Sequence, residues 1–258
     1  MKVTFLGTGT SQGVPVIGCT CEVCRSIDFR DKRLRTSILI EIGEQNFIID
    51  TGPDFRQQML REQVKRIDAV IFTHAHRDHT AGLDDVRAYN FMQEMEMPVY
   101  GSDEVLQQLK IEYAYAFAKE YYPGIPRLRL NEINGDAFMV NGISVLPLPV
   151  MHYRMPVMGF RINNFSYITD ANYIAPETIE KLKGTETLVL NALQREQHVS
   201  HFNLAQALEM VETIRPDHTY FTHISHRLGL HADVEKELPD DVSLAFDGLQ
   251  IGSQSAHH

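Results

Sequence analysis

Val70-Ile-Phe-Thr-His74-Ala-His76-Arg-Asp78-His79-Thr-Ala-Gly82 runs from an apolar stretch straight into four side chains that can bind a metal. Valine, isoleucine and phenylalanine in succession favour a buried strand. His74 and His76 are two residues apart, so an extended backbone sends both rings to one side. Asp78 and His79 follow as the chain turns into a helix and face a second position, which lets one loop serve two metals. A single histidine after a strand is ordinarily a core or surface residue. Four donors in six positions are a ligand run.

Working outward, two metals need about three more protein ligands, each expected at a strand end so that all meet at one edge. His152 follows the run 145–151, Asp170 follows 165–169 and His223 follows 219–222. Taken singly, each has a plainer reading: Asp170 as a turn cap, the histidines as buried and hydrogen-bonded. Strands are expected at 2–6, 37–42, 47–50, 69–73, 143–148, 165–169, 187–190, 219–222 and 244–246. Pro53 is placed at the first position of a helix, and Asn203 caps another whose apolar face is Leu204, Ala207, Leu208, Val211 and Ile214. No linker or charge block divides this alternation, so residues 1–252 read as one α/β domain of two packed sheets with helices outside. Residues 253–258, ending in His257 and His258, read as a disordered tail or a remnant of added sequence.

Between Asp84 and Arg129 the chain is rich in large side chains, Tyr89, Phe91, Met92, Tyr113, Tyr115, Phe117, Tyr121 and Tyr122. Their plain reading is core, with a dimer surface or a site wall as the alternative.

The 258 residues, 43% of them hydrophobic, suffice for a full core. A net charge of -10, from 34 acidic and 24 basic residues, argues against a nucleic-acid-coating protein. A small anionic substrate met by bound cations remains compatible with it. No apolar run approaches the roughly 18 residues a membrane helix needs, so a soluble, cytoplasmic protein without a membrane partner is expected. The three cysteines share one window, Cys19-Thr-Cys21-Glu-Val-Cys24, too tight for a disulfide framework and suited to a metal. A closed zinc site takes four ligands, so a histidine has to complete it.

The pattern His-x-His-x-Asp-His with a later His, Asp and His resembles the metallo-β-lactamase superfamily. The resemblance extends from Phe5-Leu-Gly-Thr-Gly-Thr10 to Phe221-Thr-His-Ile-Ser-His226. It implies a four-layer αββα sandwich in which His74, His76 and His152 hold one divalent metal, Asp78, His79 and His223 the other, and Asp170 bridges them. Asp50, in Asp50-Thr-Gly52, would orient the ligand histidines. The cysteine loop together with Thr-His-x-x-His is similar to the PhnP-type (phosphoribosyl cyclic phosphate phosphodiesterase) subgroup. That similarity implies a structural zinc on Cys19, Cys21, Cys24 and His226.

It also implies a substrate-side role for His201 rather than His198, which reads as a solvated loop residue. His201 precedes a helix N-terminus, where an anion is favoured. With Asp78 it makes up the expected catalytic pair. The reaction implied is hydrolysis of a small, cyclic phosphodiester by a hydroxide shared between two zinc or manganese ions, with His201 protonating the leaving group. Arg154, beside His152, reads as an exposed ion pair or an extra phosphate contact. A homodimer is implied by the resemblance alone. The same ligands would also serve a transfer-RNA 3′-processing nuclease or a lactone or thioester hydrolase. A zinc-binding accessory protein without catalysis is the alternative of another class.

Overall fold

A computed structural model describes residues 1–118 and 124–252. Tyr121, Tyr122 and the expected tail at 253–258 lie outside the described residues. The chain forms two compact units, one made of Met1–Gly7, Thr36–Asn134 and the segment from Gly248 onward, the other of Thr8–Arg35 and Gly135–Asp247.

The first unit carries a seven-stranded sheet in the order Gln250–Gly252, Lys2–Gly7, Ser37–Ile42, Gln45–Ile49, Ala69–Ile71, Met97–Gly101, Leu128–Glu132. Its first three pairings, the third being the hairpin 37–49, are antiparallel, whereas 45–49, 69–71, 97–101 and 128–132 run parallel. Parallel neighbours need a crossover, supplied between 45–49 and 69–71 by the helix Phe55–Arg61. Val70, Ile71 and Phe72 are fully buried, as their uninterrupted apolar run requires.

The second unit carries an eight-stranded sheet in the order Tyr173–Ile174, Ile143–His152, Met155–Ile162, Phe165–Tyr167, Thr187–Asn191, His218–Thr222, Val242–Leu244, with Phe138–Val140 paired beside Ile143–His152. Strands 165–167, 187–191, 218–222 and 242–244 are parallel. Helices Pro176–Leu182 and Leu204–Ile214 lie in the first two crossovers and the short helix His231–Val234 in the third. The helix Leu204–Ile214 has the capping box of Asn203 and Gln206, and it buries Leu204, Ala207 and Val211. Each parallel set brings the carboxyl ends of its strands to one edge, where ligands gather in open α/β sheets.

Two expectations need correction. The helix after Asp50 begins at Phe55, not Pro53, because Pro53 and Asp54 form a turn closed by Phe55 N–H donating to the Gly52 carbonyl (3.0 Å). The strand expected at 244–246 lies at Val242–Leu244, with residues 245 and 246 beyond it. Strands Met97–Gly101 and Met155–Ile162 escaped notice because Pro98, Pro156 and Gly159 interrupt their β pattern. The aromatic region is divided. Tyr89 and Tyr113 are buried and donate to the Val64 and Thr80 carbonyls (both 2.8 Å), whereas Phe91 and Met92 are each 62% exposed. Among the described residues no helix is long and apolar enough to cross a membrane.

Candidate functional site

In the first unit, Asp50 leaves its strand in the left-handed region (φ 64°), a conformation that aspartate tolerates better than most residues. Its fully buried carboxylate accepts from Thr73 N–H (2.9 Å), Thr73 Oγ1 (2.8 Å) and His79 Nδ1 (2.7 Å). Burial raises its pKa, and His79 and Thr73 oppose that rise. Thr73 Oγ1 gives its one proton to Asp50, so at 2.9 Å it accepts from His74 Nδ1. Both rings are thereby set in the tautomer whose Nε2 bears the lone pair.

His74 Nε2 lies 3.1 Å from His76 Nδ1, and His79 Nε2 lies 3.3 Å from Asp78 Oδ2. Two nitrogens on one tetrahedral metal, each about 2.0–2.1 Å from it, sit about 3.3 Å apart. The spacing of His74 and His76 fits that edge. The Asp50 loop is pinned to the ligand helix by Thr51 N–H donating to His79 O and Gly82 N–H donating to Thr51 O, both 2.8 Å. Gly82 has to be glycine, since a Cβ there would collide with the Gly52 carbonyl and with Phe55.

In the second unit, Asp170 and His223 also leave their strands at positive φ (56° and 55°). Asp170 Oδ1 lies 3.1 Å from His201 Nε2, Oδ2 lies 3.2 Å from His223 Nδ1, and Thr169 Oγ1 donates to Oδ2 at 2.7 Å. His152 Nδ1 donates to the Ser200 carbonyl (2.8 Å), which leaves its Nε2 as the donor atom for a metal. His152, Asp170 and His201 offer ligand atoms within 4.8 Å of one another. The structure therefore places His201 as close to Asp170 as the expected ligand His223. His198 is exposed, yet its Nδ1 lies 3.2 Å from His201 Nδ1, and Ser200 Oγ reaches both rings (3.2 and 3.0 Å).

The cysteine window closes on His226. Its Nδ1 lies 3.3 Å from Cys19 Sγ, 3.3 Å from Cys21 Sγ and 3.6 Å from Cys24 Sγ. One ring nitrogen cannot hydrogen-bond three thiols. A zinc with Zn–S about 2.3 Å and Zn–N about 2.0–2.1 Å gives S···N edges of about 3.5 Å, so the distances describe a tetrahedron. Backbone N–H groups of Val16 and Cys24 point at Cys24 Sγ (3.4 Å) and Cys21 Sγ (3.5 Å), as they do at thiolates. A backbone hydrogen bond lowers the Cys21 pKa, whereas burial pushes the Cys24 thiol up to about 11. A divalent cation at the centre would let all three ionise together.

A cavity of about 300 Å³ opens in the second unit beside His198, His201 and His223, with Ser11, Gln12 and Arg227 on its wall. Two amides at the start of helix Leu204–Ile214, those of Leu204 and Gln206, are already taken within the protein. Leu204 N–H donates to Gln194 O (2.9 Å), Gln206 N–H to Asn203 Oδ1 (2.9 Å) and Asn203 N–H to Gln206 Oε1 (3.1 Å). Arg154 makes no ion pair among the described residues, and its guanidinium lies 5.1 Å over the Tyr153 ring. Sequence reasoning missed the supporting threonines and Ser200. One signal was available, because threonine immediately precedes an expected ligand in Thr73-His74 and Thr169-Asp170.

A model of the β-lactamase superfamily domain matches residues 45–224. A crystal structure described as a new diphosphatase from the PhnP family is 37% identical, covers 98% of each chain and superposes with a TM-score of 0.92. The chain belongs to the PhnP family of the metallo-β-lactamase superfamily. Its fold is the metallo-β-lactamase fold of the α/β class, with two mixed sheets and flanking helices, and members of this superfamily are metal-dependent hydrolases. A Porphyromonas gingivalis octanoyltransferase is 41% identical over 97% of this chain, which spans only 51% of that relative's length. Zn(2+)-bound PqqB of Methylobacterium extorquens, 18% identical with a TM-score of 0.77 and 98% and 100% coverage of the two chains, shares the fold. In this PhnP-family chain, groups of side chains that could hold a metal ion are present, among them Cys19, Cys21, Cys24 and His226.

Proposed function

We propose that the protein is a metal-dependent phosphodiesterase whose substrate is a small, cyclic phosphodiester. Its expected metal ligands are His74, His76, Asp78 and His79 in the first unit and His152, Asp170 and His223 in the second. The observation that carries this reading is the set of imposed tautomers. Asp50, Thr73 and the Ser200 carbonyl turn the Nε2 lone pairs of His74, His79 and His152 toward a cation, an arrangement a plain core would not need. Similarity to the PhnP-family diphosphatase supports phosphoryl over acyl chemistry. When bound, divalent ions such as zinc or manganese supply Lewis acidity and an activated water.

The chain's own residues do the rest. Asp50 holds the ligand rings in register. His201, on the wall of the 300 Å³ cavity, delivers a proton to the leaving alkoxide, and Ser200 Oγ holds its Nδ1. Net charge -10 keeps an extended polyanion away, so the substrate is small rather than a long nucleic acid.

A second reading is carried by the octanoyltransferase relative, which points to an acyl thioester instead. The deciding experiment is turnover, with added Mn²⁺ or Zn²⁺, of bis(p-nitrophenyl) phosphate and nucleoside 2′,3′-cyclic phosphates against an octanoyl thioester, a lactone and nitrocefin. Phosphodiester turnover alone is expected. Turnover confined to the thioester would replace this reading with the second.

A further inference from the structure

The sequence leaves His198 as a solvated loop residue, but the structure sets its ring against His201. The His201 ring stacks on that of His223 (centroids 4.9 Å apart, 14° between planes), meets His152 edge-on (4.5 Å) and turns Nε2 to Asp170 Oδ1 (3.1 Å). At its other nitrogen, Nδ1, Ser200 Oγ lies at 3.0 Å and His198 Nδ1 at 3.2 Å. Two ring nitrogens that close share one proton, carried by one and accepted by the other. The Ser200 backbone N–H, 3.4 Å from His198 Nδ1, donates to that nitrogen and so marks it as the lone-pair side. Partial burial of the His198 ring, and then the nearby His201, lower its pKa, which keeps it a neutral acceptor. The shared proton therefore belongs to His201 Nδ1. Ser200 Oγ, 3.2 Å from His198 Nδ1, gives its own single proton there and accepts from His201 alongside. The segment is itself anchored, since Asn172 Nδ2 donates to Val199 O (3.2 Å) and Phe202 N–H to Ala171 O (2.7 Å).

We propose that His198 is a positioning residue, whose Nδ1 accepts the Nδ1–H of His201 and fixes that ring with Nε2 toward the reacting group. The proposal rests on the phosphodiesterase reading, in which the P–O bond to the leaving oxygen breaks and the proton on His201 Nε2 passes to that oxygen. A ring that gives up its Nε2 proton has to keep the other on Nδ1, or the wrong nitrogen faces the leaving group. An acceptor at Nδ1 holds that tautomer and the ring's orientation through the cycle. His198 lines the same cavity and is exposed, so it acts on His201 from the solvent side.

The test measures wild-type, His198→Ala and His198→Asn holoenzymes on two esters: a nucleoside 2′,3′-cyclic phosphate, whose leaving alkoxide needs a proton, and bis(p-nitrophenyl) phosphate, whose phenolate leaves without one. His198→Ala is expected to lower kcat on the cyclic ester about tenfold, with KM changed less than about twofold, metal content unchanged and kcat on the aryl ester reduced less than about threefold. His198→Asn, whose amide oxygen can accept in place of Nδ1, should recover most of the loss. No change, an equal fall on both esters, or no rescue by asparagine overturns the proposal. A readout free of turnover is the ¹H–¹⁵N spectrum of the His201 ring in the zinc-loaded protein, assigned by its loss in His201→Gln. Nδ1 should read as protonated in the wild type and as a mixture of tautomers in His198→Ala, whereas an unprotonated Nδ1 in the wild type overturns the proposal as well. If the wild type turns over neither ester, the phosphodiesterase reading falls, and the ring spectrum still decides whether His198 holds His201.

Discussion

The second unit holds two clusters of metal-binding side chains built on opposite principles. Around His226 three sulfurs lie 3.3, 3.3 and 3.6 Å from one ring nitrogen, a four-donor set that would fill the coordination of one ion. Around Asp170 the donors are nitrogen and carboxylate, each braced by a neighbour, and a cavity opens beside His201 and His223. A closed soft set suits a structural zinc, whereas an open mixed set suits chemistry on a bound ligand. The difference teaches that one should govern stability and the other turnover, with little exchange of roles.

The strongest way to break that contrast is to open the closed cluster. Structural zinc in small domains contributes roughly 10–16 kcal/mol, as much as the whole stability of many domains. Cys24→Ser should therefore lower Tm by more than about 10 °C in a thermal melt. A fall of only a degree or two would mean that the cluster is not structural. Next in size, Asp170→Ala should lose metal and reduce turnover by about a thousandfold or more, with a far smaller change in Tm.

His201→Ala sharpens the contrast within the open set. If His201 acts on the leaving group, turnover falls by about 10²–10⁴-fold while metal content stays at the wild-type level. Its 3.1 Å approach to Asp170 makes the alternative concrete, because metal loss equal to that of Asp170→Ala would make it a ligand. Asp50→Asn keeps the size of the side chain but weakens its grip on Thr73 and His79. A 10–100-fold loss of metal affinity or activity is expected, measured by titration of the apo protein.

The smallest effect concerns neither cluster. His231 is buried against Arg33, whose Nη2 lies 3.1 Å from its Nδ1, and burial, then Arg33 and Arg30, push its pKa down to about 4, with Asp31 and Asp28 opposing. The unfolded chain therefore binds a proton near the ordinary pKa of about 6.5 that the folded chain refuses until about 4. Stability from this residue is complete above pH 6.5 and drains away as pH falls toward 4. In His231→Gln the acid-side decline of Tm across that window should be shallower than in the wild type.

The ligand run, the later His152, Asp170 and His223, and the cysteine window were legible because chemistry restricts which side chains can bind metal and because strand ends deliver them. The helix at Leu204 was legible through its cap and apolar stripe. Less visible were the strands broken by Pro98 and Pro156, whose tertiary neighbours outweigh poor local propensity. The role of Ser200 stayed hidden for another reason. A backbone carbonyl has no sequence signature.

The most direct measurement is elemental analysis of the purified protein alongside its Cys24→Ser and Asp170→Ala variants, with turnover assayed on the same samples. The expected result is about three metals per wild-type chain, one a zinc that resists chelation and vanishes only with Cys24, the others lost with Asp170 together with activity. A wild-type chain that keeps a single metal in the cysteine cluster and turns over nothing would contradict this account and leave a zinc-binding accessory protein in its place.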